Sequence, residues 1–140
     1  MFDLNPNFTD FRYGQALNFA CRFEEGLAAL KHYMRLDPFA PNPALTHLGA
    51  SHLALKQYAE ALVSLRQVVT RAPHMPRARI LLASTYSLMG RMDEAREQIA
   101  ALLRIDPSWT VREVTRPRFF REPQVWAHVM QALLQAGLPP

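Results

Sequence analysis

Ala83-Ser84-Thr85-Tyr86-Ser87-Leu88-Met89-Gly90-Arg91-Met92-Asp93-Glu94-Ala95 places two small residues twelve apart, and Pro107 stands twelve further on. The same register occurs twice upstream, as Gly49, Ala61 and Pro73 and as Gly14, Gly26 and Pro38. The leading small residues are separated by 35 and 34 positions. A self-match at a fixed period of this length marks a chain built from repeated supersecondary units.

The spacing has a mechanical meaning. Leu45, Leu48, Gly49, His52 and Leu53, or Leu62, Leu65, Val68 and Val69, repeat at helical intervals and put apolar groups on one face. Each unit therefore reads as two short helices. Helices of about 12–14 residues are marginal alone and must gain stability from a partner surface. The small residues fall where two helices cross, since a larger side chain would push the axes apart. Proline ends the second helix in Leu36-Asp37-Pro38, Ala72-Pro73 and Ile105-Asp106-Pro107. Between the helices lie Cys21-Arg22-Phe23-Glu24-Glu25, Lys56-Gln57-Tyr58-Ala59-Glu60 and Gly90-Arg91-Met92-Asp93-Glu94. Each offers a turn, a bulky residue and then acid in the first helical turn, where the helix dipole favours it.

On these residues the chain resembles the tetratricopeptide repeat family, whose helix-turn-helix units stack into a right-handed superhelix. The resemblance covers about residues 7–107 and rests on Leu48-Gly49, Tyr86, the turn from Gly90 to Ala95, and the Asp-Pro terminators. The first unit departs from the pattern, with Gly26 for the usual alanine and Asp10 where a large aromatic is expected. The expected fold is all-α, a right-handed superhelix of three helix pairs plus a C-terminal capping helix. The expected division is 1–6 as the remnant of a preceding repeat, repeats at 7–41, 42–75 and 76–107, a short helix and loop at 108–122, and the capping helix at 123–137.

Asp3-Leu4-Asn5-Pro6 reads like the end of a preceding second helix, so an upstream continuation is expected. A truncated array exposes the face that its missing neighbour should cover. Phe2, Phe8 and Phe11 would lie there, and a homodimer through this end would hide them. In the tail, Trp109 to Val114 reads as a short helix and Arg116 to Pro123 as a loop. Pro123 then opens a last helix that Gly137 stops, with Trp126, Val129, Met130, Leu133 and Leu134 as its apolar stripe. The stretches Asp106 to Val111, Phe120 to Pro123 and Gln135 to Pro139 also look like the C-terminal end of alphaproteobacterial multidomain regulators. That resemblance implies a non-catalytic module following an adenylate cyclase or winged-helix domain.

Composition narrows the function classes. The 140 residues are 49% hydrophobic and 20% charged, which suits one ordinary core. No 18-residue apolar run and no secretion signal is present, so the chain reads as cytoplasmic with no membrane partner. Cys21 is the single cysteine and has no disulfide mate. The net charge of +4 comes entirely from residues 58–140, with eleven basic and seven acidic residues against five of each in 1–57.

The functional reading of such a stack is a concave groove lined by the first helices, holding an extended peptide or a partner's helix. Its candidate residues are Phe11, Gln15, Asn18 and Phe19 in the first repeat, Thr46, His47, Ala50 and Leu53 in the second, and Arg77, Ile80, Ser84 and Ser87 in the third. The bland alternative is that the array packs its own tail or a second copy into the groove. One known use of the family, a Lys and Asn clamp on the C-terminal carboxylate of chaperones, is not expected. Phe11, Gln15 and His47 stand at its positions, and Arg77 alone matches in charge.

Arg66, Arg71, His74, Arg77 and Arg79, and then Arg112, Arg116, Arg118 and Arg121 among Trp109, Phe119 and Phe120, raise the alternative of nucleic-acid binding. Arginine stems covering apolar surface account for them more simply. His47 and His52 are five apart, about 140° round a helix, and His32, His74 and His128 lie in separate segments, so no metal site is expected. Cys21 beside Arg22 lacks a local histidine partner for nucleophilic work. No phosphate loop, nucleophile elbow or zinc-protease motif occurs, and neither an enzyme nor a cofactor is expected. The expected role is a non-catalytic protein-interaction scaffold within a larger bacterial regulator, with a protein or peptide partner. A free-standing adaptor or a basic nucleic-acid-binding module is the alternative.

Overall fold

The computed structural model describes residues 10–114 and 127–140. Among them are eight helices: α1 (Arg12–Phe19), α2 (Phe23–Leu36), α3 (Asn42–Ala54), α4 (Tyr58–Arg71), α5 (Pro76–Leu88), α6 (Met92–Ile105), α7 (Val111–Val114) and α8 (Ala127–Gln135). The first six pack as consecutive pairs, α1 with α2, α3 with α4 and α5 with α6. Each later first helix also rests on both members of the preceding pair, α3 on α1 and α2, α5 on α3 and α4. The all-α fold expected from the repeating register is the fold observed. Phe2 and Phe8, the Arg116 to Arg121 cluster with Phe119 and Phe120, and Pro123 and Trp126 lie outside the described residues.

The small residues mark the crossings. A Cβ added to Gly14 would lie 2.5 Å from Leu30 Cγ, and one added to Gly49 would lie 2.6 Å from Leu65 Cγ. Leucine therefore fills the space that glycine leaves, and both leucines are fully buried. In the third pair Ala83 and Ile99 occupy the same register and are buried in one cluster. Removing such side chains from water is worth about 1.5–3 kcal/mol each, which offsets the marginal stability of helices this short.

The turns inside the pairs share one closure. Cys21, Lys56 and Gly90 have positive φ angles of 59°, 61° and 78° at equivalent positions. The next residue then donates its N–H back across the turn, Arg22 to Leu17 O at 2.9 Å, Gln57 to His52 O at 2.8 Å and Arg91 to Tyr86 O at 2.9 Å. This is the left-handed helix stop in which a backbone N–H satisfies an orphan carbonyl of the last turn. Gly137 at 101° and the bond from Leu138 N to Leu133 O at 3.0 Å close α8 the same way. Acidic Glu24, Glu25, Glu60, Asp93 and Glu94 open the second helices. At their ends Asp37 and Asp106 accept the N–H of the residue after proline, Phe39 at 3.1 Å and Ser108 at 3.0 Å.

Beyond α6 the chain turns back. Val111 N donates to Pro139 O at 2.8 Å, joining the two ends of the tail. Here α8 packs against α5 and, lightly, α7, without a comparable contact to α6 among the described residues. No described helix is long and apolar enough to cross a membrane.

Candidate interaction face

The first helices α1, α3 and α5 stand side by side and form one face. Three side chains meet across it. The Phe19 ring lies edge-on to the His47 imidazole, with centres 6.0 Å apart, and the Arg77 guanidinium carbon stands 5.4 Å from the Phe19 ring centre. One residue comes from each helix, so the stack forms only when all three pairs are in place. Aromatic edge contacts and cation–π contacts of this kind are each worth about 1 kcal/mol.

The electrostatics of this stack follow from burial. His47 is 5% exposed and its Nδ1 has no hydrogen-bond partner among the described residues. Burial, reinforced by the Arg77 charge, pushes its imidazole down to about 3, so the ring is neutral at ordinary pH. Burial also lowers the Arg77 guanidinium from its ordinary value. A cation held in reduced solvent interacts more strongly with an incoming carboxylate than one on an open surface.

The twelve candidate groove residues divide by exposure. Phe11, Gln15, Phe19 and Arg77 are half-buried, whereas Asn18, Thr46, His47, Ala50, Leu53, Ile80, Ser84 and Ser87 are buried. Asn18 serves the fold directly, since its Nδ2 donates to His47 O at 2.9 Å and its Oδ1 accepts from Ser51 Oγ at 2.7 Å. Thr46, Ser84 and Thr85 hydroxyls donate to carbonyls four residues back, Asn42, Ile80 and Leu81. Phe11 packs edge-on against Tyr33, with ring centres 6.0 Å apart. The side of α5 carrying Ile80, Ser84 and Ser87 is buried, and α8 is the described helix packed on α5 besides α3, α4 and α6. A helical stripe names an apolar face and not the surface it meets, so the tail's seat stayed open in the sequence between capping the last repeat and filling the groove.

The basic stretch of the fourth and fifth helices is partly absorbed into the fold. Arg71 Nη1 donates to Ala40 O at 3.3 Å, and Arg79 donates to Pro73 O and Gln98 Oε1, both at 2.8 Å. Arg66 borders a shallow hollow of about 210 Å³ with Val69, Thr70, Leu82, Tyr86 and Gln98. A second hollow, about 310 Å³, lies at the first turn among Cys21, Arg22, Phe23, Glu24, Glu25 and Leu55. His52 Nδ1 meets Gln57 Oε1 at 2.8 Å while His47 faces Phe19, so those histidines serve different neighbours. No group of three metal-ligating side chains occurs among the described residues.

Residues 52–111 match the tetratricopeptide repeat family. No curated protein matches the sequence. Among solved structures the chain is similar to a segment of MamA from Desulfovibrio magneticus RS-1, at 22% identity and a TM-score of 0.67, over 91% of this chain and 75% of that one. It is similar to PcrH from Pseudomonas aeruginosa, at 17% identity and a TM-score of 0.65, over 90% of this chain and 87% of that one. A third similar structure is YrrB, described as a tetratricopeptide repeat protein with an unusual peptide-binding site, at 19% identity and a TM-score of 0.66 over 90% and 65% of the two chains. These likenesses give no support to the resemblance between the tail and adenylate cyclase regulators. Residues 52–111 thus match the tetratricopeptide repeat family, and over nine-tenths of its length the chain shares the fold of these solved structures.

Proposed function

We propose that the chain is a non-catalytic protein-interaction module that takes a protein or peptide partner on the face of its first helices. The repeat units are 7–41, 42–75 and 76–107. The observation that carries the reading is the convergence of Phe19, His47 and Arg77 from α1, α3 and α5. Phe11 and Gln15 extend this half-buried surface along α1. Arg77, backed by apolar rings, suits a partner with a carboxylate flanked by apolar side chains. The peptide-binding site named for YrrB, on the same fold, supports a peptide-sized partner. Self-association is part of the proposal, since Phe11 stands near the start of the array and a second copy is a partner of suitable apolar character.

The test combines sedimentation with affinity capture. Wild-type chain is expected to dimerise with rising concentration or to retain a defined partner. Arg77→Gln and Gln15→Arg, both folded by circular dichroism, are expected to reduce that binding at least tenfold. Binding unchanged in both variants would remove the first-helix face as the site.

A further inference from the structure

The described part of α8 spans nine residues, and a helix segment of this order is held by what it docks against. Its buried side is Val129, Ala132 and Leu133, continued by Ala136 and Leu138, while Gln131, Leu134 and Gln135 face outward. The surface it meets is α5. That helix also meets α3, α4 and α6, and its groove-register residues Ile80, Ser84 and Ser87 are buried, as a helix laid on the groove side would bury them.

The placement of α8 differs from that of a helix continuing the stack. Both α3 and α5 rest on both members of the preceding pair, whereas α8 rests on α5 without a comparable contact to α6 among the described residues. Burial, and after it the charge of Lys56 in the α3–α4 turn, opposes protonation of His128 in α8. Seated on α5 and not on α6, the helix leans from the third pair toward the second. His128 Nε2 is buried there without a hydrogen-bond partner, an unsatisfied group that weakens the docking.

We infer that the groove side of α5 is a helix-accepting site which this chain fills with its own α8. The partner that fits is a short amphipathic helix carrying small and branched apolar residues at the spacing of Val129, Ala132, Leu133 and Ala136, and it competes with α8. The inference rests on the interaction-module reading and specifies the partner's chemistry.

The test uses the full chain, with a fluorescein-labelled peptide of residues 127–140 as probe. Leu133→Asp places a carboxylate in the docked side, and Leu134→Asp on the outward side is the control. In Leu133→Asp the α8 amides are expected to exchange at least a hundredfold faster, with α3 to α6 little changed. The peptide is expected to bind that variant at least tenfold tighter than it binds wild type or the control. Three results would overturn the inference: loss of protection in α3 to α6 together with α8, an α8 still protected in Val129→Asp/Leu133→Asp, or a freed face that does not bind the peptide. Any of these with Arg77-dependent partner binding intact would leave the interaction reading standing. Peptide binding with no effect of Arg77→Gln would do the reverse.

Discussion

A methyl group at residue 49 would sit 2.6 Å from Leu65 Cγ, in the middle of a buried side chain that cannot step aside. Gly49→Ala would gain about 1 kcal/mol of helix propensity and lose about 1–3 kcal/mol to overpacking. Chemical denaturation should therefore show a net loss of about 1 kcal/mol. Gly26 has a related reason, because a Cβ there would meet Asn18 Oδ1 at 2.4 Å. The departure from the usual alanine makes room for the amide that ties α1 to α3. Lys56 holds a left-handed conformation at the position where the third pair has Gly90. Lys56→Gly should raise stability by up to about 1 kcal/mol in the same assay. His47 is neutral in the fold, down to about 3, whereas the unfolded chain takes up the proton near 6.5. The unfolded state binds more protons in that window, so stability is present above the unfolded value and is lost as pH falls below it. Between pH 6.5 and 5 the slope should approach about 1.4 kcal/mol per unit, with His128 acting in the same direction, and His47→Gln should flatten it.

Each helix pair depends on a leucine or isoleucine seated over a small residue. Leu65→Ala would empty the space over Gly49, and equilibrium unfolding should show a cost of about 2–5 kcal/mol. Exposed pairs such as Arg22 with Glu25 and Arg91 with Glu94 add little by comparison. The six array helices were legible because their signals are local: small residues at the crossings, acid at the starts of α2, α4 and α6, and Asp37-Pro38 or Asp106-Pro107 at the ends. The left-handed turns at Cys21 and Lys56 were not, since neither residue type advertises a positive φ as Gly90 does. The candidate face was legible as positions, and Phe19, His47 and Arg77 do meet. Their degree of burial was not, because it depends on which neighbours each side chain turns toward, as when Asn18 turns inward to His47 O.

A stack of this kind has no single independent centre; each pair leans on its neighbour, and stability passes along the array through shared interfaces. The tail changes what the array presents, because α8 on α5 leaves the half-buried surface concentrated on α1 and around Arg77. Its position can be measured directly. Spin labels at residues 127 and 56, and separately at 127 and 104, in a Cys21→Ser background, report the two distances by electron–electron double resonance. A tail lying across the first-helix face gives a shorter distance from 127 to 56 than from 127 to 104. A tail that prolongs the stack beyond α6 gives the opposite order and would contradict the account.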